Sequence, residues 1–209
     1  MSQRADSMAA VRAAKQALRR EIKRRVAALD DPEKLRQSRV ISEKLFKHPK
    51  YASCERIGVF LSIHDEVRTE DILNHVFEHG KTCFMPKYST RGTSNHMDMV
   101  KLNSIQDMMS LPLTSWNIRQ PADDDNTREE ALETGSLDLI LMPGLGFDRS
   151  GNRLGRGKGF YDTYLRRCTN HPKGKPYTIA LAFKEQLVQD IPVDDNDVLI
   201  DEVLYEDME

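Results

Sequence analysis

Cysteine is scarce in this chain. Cys54, Cys83 and Cys168 are odd in number, far apart and never spaced as CxxC, so neither a disulfide framework nor a zinc site is indicated. An excess of one charge is also missing. Lysine and arginine total 31 against 33 acidic residues, a formal net charge of −2, whereas a nucleic-acid binder would show a basic excess or stripe. No apolar run approaches the roughly 20 residues that span a bilayer, which argues against a membrane protein. The N-terminus "MSQRADSMAAVRAAKQALRREIKRR" lacks the apolar centre of a signal peptide. It is basic and alanine-rich, as a mitochondrial targeting helix would be, but Asp6 and Glu21 run against that reading. The expected location is the cytosol. No internal repeat and no low-complexity segment is found, and the absence of a long exposed apolar stripe suggests a monomer.

What is present suffices for one domain with an added arm: 209 residues, 39% of them hydrophobic. Residues 8–29 read as a helix, because Val11, Leu18, Ile22, Val26 and Leu29 recur on one face. On its surface Lys15 and Arg19 are neighbours, one turn apart. Asp31-Pro32 is expected to start a second helix and Pro49 to mark its end. "RIGVFLSI" (56–63) is apolar and β-branched like a buried strand. A helix around Thr69 to His79 follows, stopped by Gly80, and then a strand "TCFMP" (82–86). "YSTRGTSN" (88–95) reads as a loop, "HMDMVKL" as a strand and "PADDDNTREE" (121–130) as an exposed acidic connection. "LDLILMPG" (137–144) is the clearest buried strand. A helix from Phe160 to Cys168 and strands "YTIALAF" (177–183) and "DVLIDEVL" (197–204) complete the chain. Strands alternating with helices predict an α/β fold with a largely parallel sheet.

"GFDRSGNRLGRGKGFYDTYL" (146–165) leaves the strand at 137–144 and runs into a helix. In open α/β sheets ligands bind beyond the carboxyl ends of strands. Glycines at 144, 146, 151, 155, 157 and 159 permit left-handed backbone and close approach to a ligand. Successive N–H groups form an anion-binding concavity, and the helix N-terminus adds partial positive charge. Arg153, Arg156 and Lys158 supply full charges, so a polyanion such as a nucleotide phosphate chain is favoured over a merely flexible basic loop. The Walker arrangement fails, since Asn152 and Gly159 stand where it requires glycine and Ser or Thr. The GxGxxG pattern fails at Phe160. Asp162, just inside the helix, either complements the helix dipole or holds Mg²⁺, which takes one or two carboxylates plus phosphate oxygens. Asp197 lies in the acidic cluster "DDND" (194–197), Glu66 ends "SIHDEV", and the single tryptophan, Trp116, either packs in the core or stacks on a flat heterocycle.

"LILMPGLGFDRSGNRLGRGKGFYDTYL" (139–165) closely resembles the signature of the 5-formyltetrahydrofolate cyclo-ligase family, also called methenyltetrahydrofolate synthetases. "KQALRREIKRR", "LRQSRVISEKL", "FLSIHDEVRTE", "SNHMDMV", "TSWNIRQP", "YTIALAFKEQ" and "DEVLYED" extend the likeness from about residue 9 onward. The resemblance implies a single α/β domain of the NagB/RpiA/CoA-transferase-like type over 1–209, with an N-terminal helical arm and residues 1–8 outside its ordered part. It implies an enzyme converting 5-formyltetrahydrofolate and MgATP into 5,10-methenyltetrahydrofolate, ADP and phosphate. The small-molecule substrates are the folate and ATP, with Mg²⁺ as cofactor. By matching position, Lys15, Gln16, Ala17, Leu18 and Arg19 reach ATP from the N-terminal helix. Arg153, Leu154, Gly155, Arg156, Gly157, Lys158, Gly159, Phe160 and Tyr161 wrap ATP, with Lys158, Arg153 and Tyr161 at the reacting groups. Leu61, Glu66 and Trp116 contact the folate together with Arg156, Gly157, Lys158, Gly159 and Phe160, and Asp162 and Asp197 hold magnesium.

Two departures from the family pattern stand out. Phe160-Tyr161 replaces the commoner Tyr-Tyr, removing a hydroxyl, and the 88–95 segment is somewhat long. A phosphosugar isomerase or CoA transferase on the same fold would not need the basic N-terminal pair. A nucleotide- or RNA-binding module would not need to retain Arg153, Lys158 and Asp162.

Overall fold

The computed structural model describes residues 2–207. Its centre is a six-stranded sheet of order β3-β2-β1-β4-β7-β8. The strands are β1 (Arg56–Gly58), β2 (Thr82–Arg91), β3 (Ser94–Leu102), β4 (Leu139–Met142), β7 (Tyr177–Leu181) and β8 (Glu202–Leu204). All neighbours are parallel except β2 and β3, which form an antiparallel hairpin at one edge. β4 lies in the middle and is buried along its whole length, as a strand covered on both faces must be.

Side chains alternate across the sheet and divide the core in two. Leu139 and Leu141 of β4 join Ile179 and Leu181 of β7 on one face, under helices α1 (Ser2–Ala27), α2 (Asp31–Phe46) and α4 (Glu70–Glu78). Ile140, Met142 and Ala180 face the other way, onto Tyr161, Tyr164, Leu165 and Cys168 of α6 (Phe160–Thr169). Two short helices, α3 (Pro49–Ser53) and α5 (Ile105–Ser110), complete the helical set. Ile22 and Val26 are the apolar anchors of α1. Ile22 seats so closely on β5 (Gly146–Phe147) that a Cβ at Gly146 would lie 2.3 Å from its Cδ1.

The elements depart from the sequence reading in several places. α1 starts at Ser2, so residues 2–8, expected outside the ordered part, form its exposed first turns. Asp30, not Asp31, caps α2, accepting the Glu33 N–H at 2.9 Å. Pro49 opens α3 rather than merely ending α2. β1 stops at Gly58 although the apolar run continues, and β8 takes only the end of 197–204. The 88–95 segment is not a loop. β2 and β3 continue through it in register to Arg91 and Ser94, turning at Gly92.

Candidate functional site

The glycine-rich stretch leaves the carboxyl end of β4 and is not one uniform loop. β5 pairs with β6 (Arg153–Leu154) in a small antiparallel hairpin. The carboxylate of Asp148 organises its turn, accepting from Ser150 N, Asn152 N, Asn152 Nδ2 and Ile191 N, each at 3.0 Å. Burial opposes that charge, but these donors, Ile191 first, outweigh it and hold the Asp148 pKa below its ordinary value. Gln186 secures the entry, donating from Nε2 to the carbonyls of Gly144 at 2.8 Å and Leu145 at 3.0 Å. Neither anchor stood out in the sequence: Gln186 acts wholly on backbone groups of another segment, and Asp148 joins its own turn to the distant Ile191.

Beyond the hairpin the chain opens outward. Gly157 and Gly159 have φ of 104° and 70°, left-handed backbone that suits glycine. The positive-φ glycines of the stretch are these two and Gly151, so the freedom expected of Gly144, Gly146 and Gly155 is not used for that purpose. Gly159 caps α6 without a side-chain bond, so no capping side chain satisfies the first N–H groups of the helix, the kind of position that takes an anionic acceptor. Arg156 and Lys158 are exposed. Leu154 is buried and serves packing. The carbonyl of Lys158 receives Asn95 Nδ2 at 3.5 Å from the β2–β3 hairpin tip.

The other basic groups are held. Arg153 donates from Nε to the Pro143 carbonyl at 2.6 Å, with its guanidinium carbon 4.8 Å from the Tyr161 ring centre. Arg19 crosses from α1 and donates from Nε to the Gly155 carbonyl at 2.8 Å. Lys15, also on α1, is buried between Asp194 and Asp197, with Nζ 3.0 Å and 2.6 Å from their Oδ2 atoms. Burial lowers the Lys15 pKa, but the bonds to Asp197 and Asp194 more than reverse this, and the net shift is upward. Gln16 and Ala17 are exposed beside them, and Leu18 packs partly into the core.

A buried polar group lies at the inner wall. Glu66 is 8% exposed. Its Oε1 accepts the Ile63 N–H at 3.1 Å, and Oε2 stands 3.7 Å from Arg156. Desolvation raises its pKa. Tyr161 is buried, and its hydroxyl interacts electrostatically with that of Tyr88 but completes no hydrogen bond. Burial pushes Tyr88 up to about 12. Its ring lies 4.8 Å from that of Phe160, tilted by 59°, so the aromatic body at position 160 packs without the missing hydroxyl. Tyr88 escaped the sequence reading because its strand was taken for a loop. Leu61 is half-buried against the core. Trp116 is 65% exposed, which excludes the core-packing reading. Its loop is fastened to β2 through Gln120, which bonds both the N–H and the carbonyl of Tyr88.

Asp162 accepts the Val198 N–H at 3.0 Å. Burial raises its pKa, and the charge of Asp197 adds to that rise. Among the described residues no three or more His, Cys, Asp or Glu side chains converge as a metal cage. Two carboxylates with oxygen donors only are nevertheless what Mg²⁺ takes when phosphate oxygens complete its shell, and the ammonium of Lys15 already marks Asp197 as a cation-accepting position. The donor set therefore fits magnesium delivered with a nucleotide.

The model of the 5-formyltetrahydrofolate cyclo-ligase family matches residues 11–206. The 5-formyltetrahydrofolate cyclo-ligase of Mus musculus is 57% identical over 197 residues, covering 94% of this chain and 96% of the relative. The probable 5-formyltetrahydrofolate cyclo-ligase of Caenorhabditis elegans is 36% identical over 200 residues, covering 95% and 96%. Among solved structures, the 5,10-methenyltetrahydrofolate synthetase of Aquifex aeolicus superposes with a TM-score of 0.73 at 24% identity, over 93% of this chain and 90% of that one. That last likeness bears on the fold alone.

Proposed function

The chain belongs to the 5-formyltetrahydrofolate cyclo-ligase family, and from that premise we propose how its residues carry the ATP-dependent cyclisation of 5-formyltetrahydrofolate to 5,10-methenyltetrahydrofolate. The chemistry needs help at one point. An amide oxygen is a poor leaving group, and transfer of the γ-phosphoryl group of ATP onto the formyl oxygen makes it a good one. The neighbouring folate nitrogen then closes the ring and phosphate departs. Phosphoryl transfer asks a protein chiefly for positioning and charge neutralisation. Arg156 and Lys158 project from the open part of the glycine stretch to meet the phosphates. Arg153, fixed by Pro143 and the Tyr161 ring, gives them a rigid neighbour. The N–H groups at the start of α6, which no capping side chain satisfies, add further donors.

Glu66 receives N–H donors of the pterin from its buried position, with Leu61, Phe160 and Trp116 as apolar contacts. Magnesium held by Asp162 and Asp197 would neutralise charge on the phosphate oxygens. The observation that carries this reading is the reach of Arg19 to the Gly155 carbonyl at 2.8 Å, because it brings the basic face of α1 onto the glycine stretch. A cytosolic location is part of the same reading. No helix among the described residues is long and apolar enough to cross a membrane. We also take the chain to act as a monomer.

The test is near-ultraviolet absorbance of the methenyl product, with ATP and magnesium omitted in turn. Product that requires both is expected. A folded protein that binds ATP and yields no product would instead favour a binding module. In the same assay Lys158→Ala is expected to lower kcat on the order of 10²-fold, the scale of losing one transition-state donor, with an unchanged melting temperature because Lys158 is exposed. Unchanged turnover would remove Lys158 from the reaction.

A further inference from the structure

Two groups with different assignments are bonded to each other. The family resemblance gives Lys15 to ATP and the proposed function gives Asp197 to magnesium, yet Lys15 Nζ lies 2.6 Å from Asp197 Oδ2 and 3.0 Å from Asp194 Oδ2. The Lys15 side chain is 11% exposed, so this is no loose surface contact. The same Asp197 Oδ2 also accepts the Asp194 N–H at 2.9 Å. Both lone pairs of that oxygen are engaged, and a divalent cation on the other carboxylate oxygen would stand beside the ammonium, whose like charge repels it, so the metal gains Asp197 fully only if the ammonium leaves. The ammonium in turn has three protons to donate, and a phosphate competes for those now spent on Asp194 and Asp197. Asp162 stands close enough for the Asp197 charge to raise its pKa and has no cation bonded to its carboxylate among the described residues.

We infer that Lys15 is the stand-in cation of the nucleotide-free enzyme. When nucleotide arrives, Lys15 exchanges Asp197 for a phosphate oxygen, and Asp197 turns to magnesium. This rests on the assignments of the proposed function and adds an order to them. Metal alone displaces Lys15 poorly, because the ammonium would give up its shorter bond, to Asp197, with no phosphate to replace it. The acidic cluster never faces itself uncompensated, and the metal enters with its nucleotide. Binding of metal and nucleotide is thereby coupled, each improving the affinity for the other by the same factor.

The experiment is a titration of the full chain with Mn²⁺, read by the loss of the free-ion electron paramagnetic resonance signal. It is run without nucleotide and again with saturating ADP. Lys15→Met keeps the buried stem and removes the ammonium. Without nucleotide it is expected to bind Mn²⁺ at least tenfold more tightly than the parent chain, and with ADP the difference should fall below threefold. Arg12→Gln, an exposed charge on the same helix, should leave Mn²⁺ affinity unchanged in both conditions. Equal affinity of the parent and Lys15→Met without nucleotide overturns the exchange and leaves the ion pair a plain anchor of α1. An equal gain in Arg12→Gln also overturns it, since the effect would then be the general field of the helix. If Lys15→Met does not fold, Lys15→Gln is measured in its place. Asp197→Asn separates the two levels of the argument. Unaltered Mn²⁺ binding of that variant with ADP overturns the metal assignment and the exchange with it, whereas a loss there beside an unaffected Lys15→Met overturns the exchange alone.

Discussion

Glu66, the proposed pterin acceptor, shows at one residue how a buried carboxylate is held at a cost to the fold. Its carboxylate is buried, and desolvation lifts its pKa above the ordinary 4.5. The folded chain therefore holds this proton more tightly than the unfolded chain. The associated stability is full below 4.5 and is lost as pH rises through the folded value. Glu66→Gln mimics the protonated form and should be free of that loss. Its melting temperature relative to the parent is expected to rise from pH 5 to pH 8, while its KM for 5-formyltetrahydrofolate increases on the order of tenfold, the worth of one hydrogen bond to a charged group. A melting difference that stays flat with pH would show that burial does not burden this carboxylate. Its neighbourhood was only partly legible in the sequence. "SIHDEV" pointed to Glu66, and Trp116 was left between the core and a ligand, but Tyr88 was missed, because nothing in a polar stretch announces that it projects as a hairpin.

Among the elements, α1 is long for the little apolar contact it makes. Its buried residues are Lys15, Ile22 and Val26, so its seating depends on few points, and Gly146 is one of them. A methyl group there meets Ile22 at 2.3 Å, and Ile22 is completely buried and has little room to yield. Gly146→Ala is thus expected to destabilise the chain by about 1–3 kcal/mol, the usual range for overpacking, and to raise KM for ATP as α1 lifts from the glycine stretch. Denaturant midpoints and ATP kinetics check both effects, and Ile22→Val should recover part of each in the double variant. An undisturbed midpoint would mean that α1 is not seated through this contact. The periodicity of α1 and the buried character of β4 were readable because each follows from its own residues. The β5–β6 hairpin was not, since it is fixed in part by distant bonds, Ile191 N–H to Asp148 and Gln186 to the Gly144 and Leu145 carbonyls, that no local pattern announces.

At the scale of the molecule the sequence foretold the architecture better than the convergence. A parallel sheet with helices follows from alternating segments, and the glycine stretch falls at the end of the central strand, where such folds bind ligands. Which distant groups meet there is a tertiary matter. Lys15 and Asp197 are 182 positions apart, and no local signal pairs them. That separation has a consequence for how the enzyme comes into being. The ribosome delivers the chain from its N-terminus at about 5–20 residues per second, so α1 emerges long before its acidic anchors. Until Asp194 and Asp197 clear the exit tunnel, the basic face of α1 has no carboxylate to clasp. A nascent or prematurely terminated chain that already carries the whole glycine stretch still lacks the clasp, so the seat of α1 is completed only after residues 194–197 have been made.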